Sequence, residues 1–160
     1  EIKSVSGTYT QRINNLEADD TTVGIVKFKD DSLGALEATT AARPIDYEAS
    51  FSIIAENGMI EIGGVALNKI IKLNLINSSK DMASIMKENS QNFKDGFGVG
   101  HGPYNQSVVN NLMNGVFEAP VSADESIKSL KLVHAIYTSS NENRWVSMNE
   151  NIEFDRLGKK

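Results

Sequence analysis

Gly100-His101-Gly102-Pro103-Tyr104-Asn105-Gln106 divides this chain of 160 residues into two regimes. Before it, apolar and polar residues alternate with the period of a pleated strand. After it, they recur with the period of a helix. Pro103 suits the first turn of a helix, where its missing N–H costs nothing. Tyr104, Val108 and Leu112, with Val109 and Met113, form the apolar stripe of that helix, and Gly115 is a natural stop. The stretch also gathers an imidazole, a phenol and two side-chain amides, the densest set of polar ligand-binding groups in the chain. A helix start favours bound anions. Two readings of His101 stay open: a hydrogen-bonding partner for a sugar hydroxyl or carboxylate, and a helix cap.

Upstream, Ile2 to Ile13 alternates, with Val5, Gly7, Tyr9 and Gln11 on one side. Thr21 to Lys29 reads as a second strand. Asp30-Asp31-Ser32 turns the chain, and Leu33 to Arg43 returns, so these elements form antiparallel hairpins. Beyond Pro44 the alternation is clean. Ile45, Tyr47, Ala49, Phe51 and Ile53 face one way, Asp46, Glu48, Ser50 and Ser52 the other, which predicts a half-covered strand. Glu56-Asn57-Gly58 predicts a type I′ hairpin turn, because Asn-Gly tolerates positive φ. Met59 to Ile62 and Val65 to Ile76 make two further strands. Met82, Ile85 and Met86 mark a short helix, and residues 88–98 read as a polar loop.

Downstream, Ser122-Ala123-Asp124-Glu125 is a capping box. It opens a helix whose predicted core face is Ile127, Leu130, Val133, Ile136 and Tyr137. Trp145 to Met148 is a short closing strand, and residues 151–160 read as a tail. The sum is an α+β fold: a mainly antiparallel sheet of about six strands, with helices packed on one face. The other face, carrying Glu37, Thr39, Asp46, Glu48 and Ser50, is open to solvent or to a partner.

Composition narrows the function classes. A net charge of −5 without a basic cluster disfavours nucleic acid. No apolar run spans a bilayer. With no cysteine there are no disulfides, thiolate zinc sites or cysteine nucleophiles, which fits a reducing, cytoplasmic setting. The chain lacks an initiator Met and starts almost inside a strand, so we expect a domain of something longer.

Several residues invite sharper readings. Gly96, Gly98, Gly100 and Gly102 lack the dinucleotide spacing, since Pro103 or His101 falls at the sixth position, and no Lys-Ser/Thr is placed for a P-loop. His134 lies within a helical apolar face and reads as structural. The two histidines have no ligand-spaced partners, so no metal site is expected. Arg43 is suited to a carboxylate or phosphate, against a surface pair with Asp46 or Glu48. Asp46 and Glu48 share a strand face and raise a hydrolase as a rival, against a solvated strand face.

Three segments carry a resemblance. They are Thr21-Thr22-Val23-Gly24-Ile25-Val26-Lys27-Phe28 with Leu33-Gly34-Ala35-Leu36-Glu37-Ala38-Thr39-Thr40, then Ser52-Ile53-Ile54-Ala55-Glu56-Asn57-Gly58-Met59-Ile60-Glu61-Ile62, then Pro120-Val121-Ser122 with Ser126 to Ser140. In this order the chain resembles the C-terminal domain of the Gfo/Idh/MocA oxidoreductases, the glucose–fructose oxidoreductase and inositol dehydrogenase family. The stretch at 100–106 is similar to members acting on nucleotide-linked sugars. The resemblance implies an NAD- or NADP-binding Rossmann domain outside this chain, carrying the catalytic residues. Neither the Glu-Lys-Pro motif nor the Asp-x-x-x-His motif of that family occurs here.

The resemblance also sets the expectations for function. Residues 1–150 are a substrate-binding and oligomerisation domain with no catalytic, cofactor-binding or metal residue of its own. His101, Tyr104, Asn105, Gln106 and Arg43 are its candidate sugar-binding residues. It is inactive and binds no nicotinamide by itself, and its open sheet face builds homodimers or homotetramers. The alternative is a non-catalytic carbohydrate-binding or assembly module.

Overall fold

The computed structural model describes residues 1–45, 47–93 and 98–152. Seven strands and three helices occur in the order β1 (Ile2–Thr10), β2 (Thr21–Phe28), β3 (Leu33–Thr39), β4 (Phe51–Ala55), β5 (Gly58–Gly63), β6 (Lys69–Leu75), α1 (Met82–Glu88), α2 (His101–Met113), α3 (Ala123–Glu142) and β7 (Val146–Ser147). The α+β class and the antiparallel ladders stand as expected. The strands fall into two sheets, one of order β3-β2-β1-β7 and one of order β4-β5-β6. The chain divides into two compact units, residues 1–42 with 121–160, and residues 43–120.

The first unit is organised by a pair of glycines. In the β1–β2 ladder Val5 lies opposite Val26 and Gly7 opposite Gly24, and Val5 also faces Val146 of β7. Helix α3 lies along β1. A Cβ on Gly7 would stand 3.0 Å from Ile136 Cγ2 and 2.9 Å from the Val23 carbonyl oxygen. The missing side chains therefore let the helix approach the sheet closely. The core is Val5, Val26, Ala135, Ile136 and Val146, with Ile2, Phe28, Leu36, Leu132, Met148 and Ile152 packed around it.

That approach also decides which side of α3 is buried. Ile136 is in the core as expected, but Ile127, Leu130 and Val133 are exposed, Leu130 by 60%. The buried side runs through Leu132, Ala135, Ile136 and Ser139. Small residues win here because the glycine groove rewards close contact over bulk. The helix ends are as the sequence implies. Ser122 Oγ accepts the N–H of Glu125 at 3.2 Å, while the Glu125 carboxylate turns to Lys128. Asn143 closes the helix in the left-handed conformation, with φ of 51°.

Opposite α3, the first sheet leaves one face uncovered by any described element of its own unit. Register places Thr8, Val23 and Glu37 in one row and Ser6, Ile25 and Ala35 in the next. The expected polar face thus carries half-exposed Val23 and Ile25 at its centre.

In the second unit the long strand expected from Ile45 is short. β4 begins at Phe51, and the residues before it are irregular. Ile45 and Tyr47, expected in the core, are 77% and 85% exposed. Their alternation marks an apolar side, yet a strand needs a ladder partner as well as a pattern. Asp46 lies outside the described residues. The β4–β5 hairpin forms, but not through the expected turn. Ala55 pairs with Gly58, so Glu56 and Asn57 are the two loop residues. Neither is among the left-handed non-glycine residues, which are Asp31, Leu67, Asn77 and Asn143. A type I′ turn needs positive φ at both loop positions, so that turn type is excluded.

Phe51, Ile53, Ile60, Ile62, Ile70 and Leu73 share one face of this second sheet. Helix α1 packs along β6. It is capped by Asp81, whose carboxylate accepts the Ala83 N–H at 3.0 Å. No helix among the described residues is long and apolar enough to cross a membrane.

Candidate functional site

The site expected at residues 100–106 is the start of α2. Gly100 occupies the N-cap position, and no side chain caps the helix. The cap reading of His101 is therefore not what is seen: His101 is the first helical residue. Among the described residues, a Cβ at Gly100 or at Gly102 would meet nothing within 4 Å. The helix ends as the sequence implies. Gly115, with φ of 72°, donates its N–H to Leu112, and Val116 donates to Asn111. These are the paired bonds of a Schellman motif.

Helical spacing sorts the candidate residues. His101, Tyr104 and Asn105 stand at i, i+3 and i+4 and share one side of the first turns. Gln106 points elsewhere, donating from Nε2 to Asn110 Oδ1 at 2.9 Å. Arg43 is exposed in the irregular segment before β4, on a different element of the same unit. From His101 to Met113 there is no Asp, Glu, Lys or Arg. A neutral surface of imidazole, phenol and amide suits polyol hydroxyls, which both donate and accept. Among the described residues no group of His, Asp and Glu could hold a metal ion.

A shallow hollow of about 120 Å³ lies on β4 and β5, lined by Ser52, Ile54, Met59, Glu61 and Lys72. It is well below the several hundred Å³ that a drug-sized ligand fills. Glu61 and Lys72 pair across it at 3.4 Å.

Sequence reading missed a polar cluster in the first unit. The Tyr137 hydroxyl donates to Asp19 Oδ1, Thr22 donates to the other Asp19 oxygen, and Tyr9 donates to Asn141 at 3.0 Å. The rings of Tyr9 and Tyr137 meet edge to face, with centroids 4.8 Å apart. Burial, reinforced by the Asp19 carboxylate, pushes the Tyr137 phenol up to about 12. Beside this cluster Asp20 is buried. Its Oδ2 accepts the N–H groups of Arg12, Ile13 and Asn14 at 2.7–3.0 Å. Those backbone donors hold its carboxyl down at about 2. No local signal announces these contacts, because several join residues more than a hundred positions apart.

Residues 1–148 match the family model GFO_IDH_MocA_C, described as the oxidoreductase family, C-terminal alpha/beta domain. The chain belongs to the Gfo/Idh/MocA oxidoreductase family. Among solved structures, it resembles the WlbA dehydrogenase from Chromobacterium violaceum in complex with NADH and UDP-GlcNAcA. Identity is 29% and TM-score 0.78, covering 96% of this chain and 41% of that one. The WlbA dehydrogenase from Bordetella pertussis, also in complex with NADH and UDP-GlcNAcA, gives 25% identity and a TM-score of 0.80, covering 96% and 43%. A levoglucosan dehydrogenase shares the fold, at 18% identity and a TM-score of 0.68, covering 94% and 46%. No curated protein matches the chain by sequence. The Gfo/Idh/MocA chain described here thus spans less than half the length of each of these enzymes.

Proposed function

We propose that residues 1–150 are the substrate-binding and assembly domain of an NAD(P)-dependent dehydrogenase. The whole enzyme moves a hydride between the nicotinamide and a hydroxyl-bearing carbon of a nucleotide-linked sugar. The observation that carries this reading is the family match over residues 1–148 together with likeness, at 29% and 25% identity, to two dehydrogenases holding UDP-GlcNAcA. The neutral polar start of α2 supports it, with His101, Tyr104 and Asn105 as hydroxyl partners and Arg43 and Gln106 as further contacts.

The antiparallel ladders of the described residues offer no strand–glycine turn–helix crossover of the kind a dinucleotide takes. We therefore assign the cofactor and the catalytic base to polypeptide outside residues 1–160. When bound, the nicotinamide supplies the hydride chemistry, and this chain's residues bind and orient the sugar.

The test is an assay of the full-length protein with UDP-GlcNAcA and either NAD⁺ or NADP⁺, following absorbance of the reduced nicotinamide. Turnover is expected with one of the two cofactors. Residues 1–160 alone are expected to show neither turnover nor calorimetric binding of NAD. Absence of turnover with every nucleotide sugar tried, or micromolar NAD affinity in residues 1–160, overturns the proposal.

A further inference from the structure

Three successive backbone N–H groups in the loop between β1 and β2 point at one atom. Arg12, Ile13 and Asn14 donate to Asp20 Oδ2 at 3.0, 2.7 and 3.0 Å. The other oxygen, Oδ1, takes the Thr21 hydroxyl at 3.2 Å. Successive N–H groups turned to one side of a chain form a concavity for anions. Here the concavity lies outside any helix, and it holds a carboxylate that is 2% exposed. A buried charge needs partners, and this one is stabilised chiefly by backbone N–H groups and not by a cation.

The frame of this cradle does not rest on the carboxylate alone. The Asp20 backbone N–H donates to the Thr10 carbonyl at 3.0 Å, and the Asp20 carbonyl accepts the Thr40 N–H at 2.9 Å. The same carbonyl accepts the Thr39 hydroxyl at 2.9 Å. Residue 20 is thereby fixed to the ends of β1 and β3 whatever its side chain. Asn14 Nδ2 donates to the Thr40 carbonyl at 3.0 Å, and Gln11 Nε2 to the Asn14 carbonyl at 2.8 Å, so the far side of the loop is held as well. The neighbouring Asp19 is bound by the hydroxyls of Tyr137 and Thr22, so removing the Asp20 side chain leaves that tie to α3 in place. All of these contacts lie within the first unit.

We propose that residues 12–14 form a receptor for a small planar carboxylate, which the chain fills with its own Asp20 and which takes formate from solution once that side chain is removed. One oxygen of the ligand sits on the three N–H groups and the second on the Thr21 hydroxyl. Shape sets the fit as well as charge. Asp20→Gly vacates the space of one carboxyl group and one methylene. Formate enters it, whereas tetrahedral sulfate is too large and chloride has no second oxygen for Thr21. An unattached formate needs van der Waals distance from residue 20, so Asp20→Gly receives it better than Asp20→Ala, whose Cβ remains. Asp20→Asn keeps an amide oxygen in the cradle and leaves no room.

The test is hydrogen exchange, read by mass spectrometry in peptides of the full-length protein spanning residues 12–14, at matched pH. Asp20→Gly is expected to speed exchange there about ten- to a hundred-fold over the parent, since three donors lose their acceptor. Formate at about five times its Kd should then slow it about six-fold, and saturably. Sodium chloride and sodium sulfate at equal ionic strength should change it less than about two-fold, because the donors are neutral backbone groups. The parent and Asp20→Asn should not respond to formate. Asp20→Ala carries the same measurement with a weaker response, and it decides the matter where Asp20→Gly does not fold. No formate response in the folded variant, an equal response to chloride, or the same response in Asp20→Asn overturns the proposal. Dehydrogenase turnover is a separate readout, so failure here leaves the enzymatic reading standing.

Discussion

Gly7 donates its backbone N–H to Ser139 Oγ at 3.0 Å, and the Ser139 hydroxyl donates in turn to the Arg144 carbonyl at 2.6 Å. One hydroxyl thus ties β1 to the end of α3 and to the turn leading into β7. Ser139 is buried, and Arg144 is anchored there by Glu142 and Glu150. Ser139→Ala leaves a donor and an acceptor unpaired in a site too tight for easy repair. We expect a loss of about 1–3 kcal/mol, seen as a lower urea midpoint with an unchanged slope. Loss of less than about 0.5 kcal/mol would mean that water replaces the hydroxyl.

Asp20 gives the chain an acid limit. Its folded-state carboxyl titrates at about 2, below the ordinary 3.8, because three backbone N–H groups bond the ionised form. A lowered carboxyl adds stability above its unfolded value and loses it as pH falls through the folded one. The window here is roughly pH 4 down to 2. Asp20→Asn should melt earlier than the parent at pH 7, and the gap should close as both are taken towards pH 2. A gap that stays constant with pH would assign the effect to shape and not to charge.

Local chemistry was legible in the sequence, and choices made by packing were not. Ser122 and Glu125 signal a helix start within four residues, and Gly115 a helix end, because the groups involved are neighbours in the chain. The start of α2 was legible for the same reason. The buried side of α3 was not. Two apolar stripes run along that helix, and only the Gly7–Gly24 groove, formed by residues over a hundred positions away, selects the one through Ala135. The segment from Ile45 failed differently: alternation states which side is apolar, but not whether a neighbouring strand is there to pair with it. In the candidate site, the shared side of His101, Tyr104 and Asn105 comes directly from helical spacing, and Gln106 turns away to meet Asn110.

That geometry ranks the candidate sugar contacts. In the full-length enzyme, Asn105→Ala and Tyr104→Phe should raise KM for the nucleotide sugar about 5- to 30-fold, the loss of one hydrogen bond of about 1–2 kcal/mol. Gln106→Ala should change it less than about three-fold, since its amide is engaged along the helix. All three side chains are exposed, so melting temperatures should stay close to the parent's. Equal effects at Gln106 and Asn105 in steady-state kinetics would move the sugar to another side of α2.

The proposed assembly through the first sheet turns on Ile25. It lies between Ser6 of β1 and Ala35 of β3, on the face that no described element of its own unit covers, and it is about half exposed. Small and β-branched neighbours make this a flat surface suited to stacking on a copy of itself, as aligned sheets do. Ile25→Glu places a carboxylate at the centre of that contact with no cation beside it, since Lys27 is already paired with Asp31 at 3.2 Å. An unpaired buried charge costs about 3–5 kcal/mol, roughly two to four orders of magnitude in the dimer Kd. The single chain should bear the change with little loss of stability, because the side chain there already meets water. Sedimentation of the full-length variant should therefore show a halved mass with a near-parental melting curve. An unchanged mass would remove this face from the assembly.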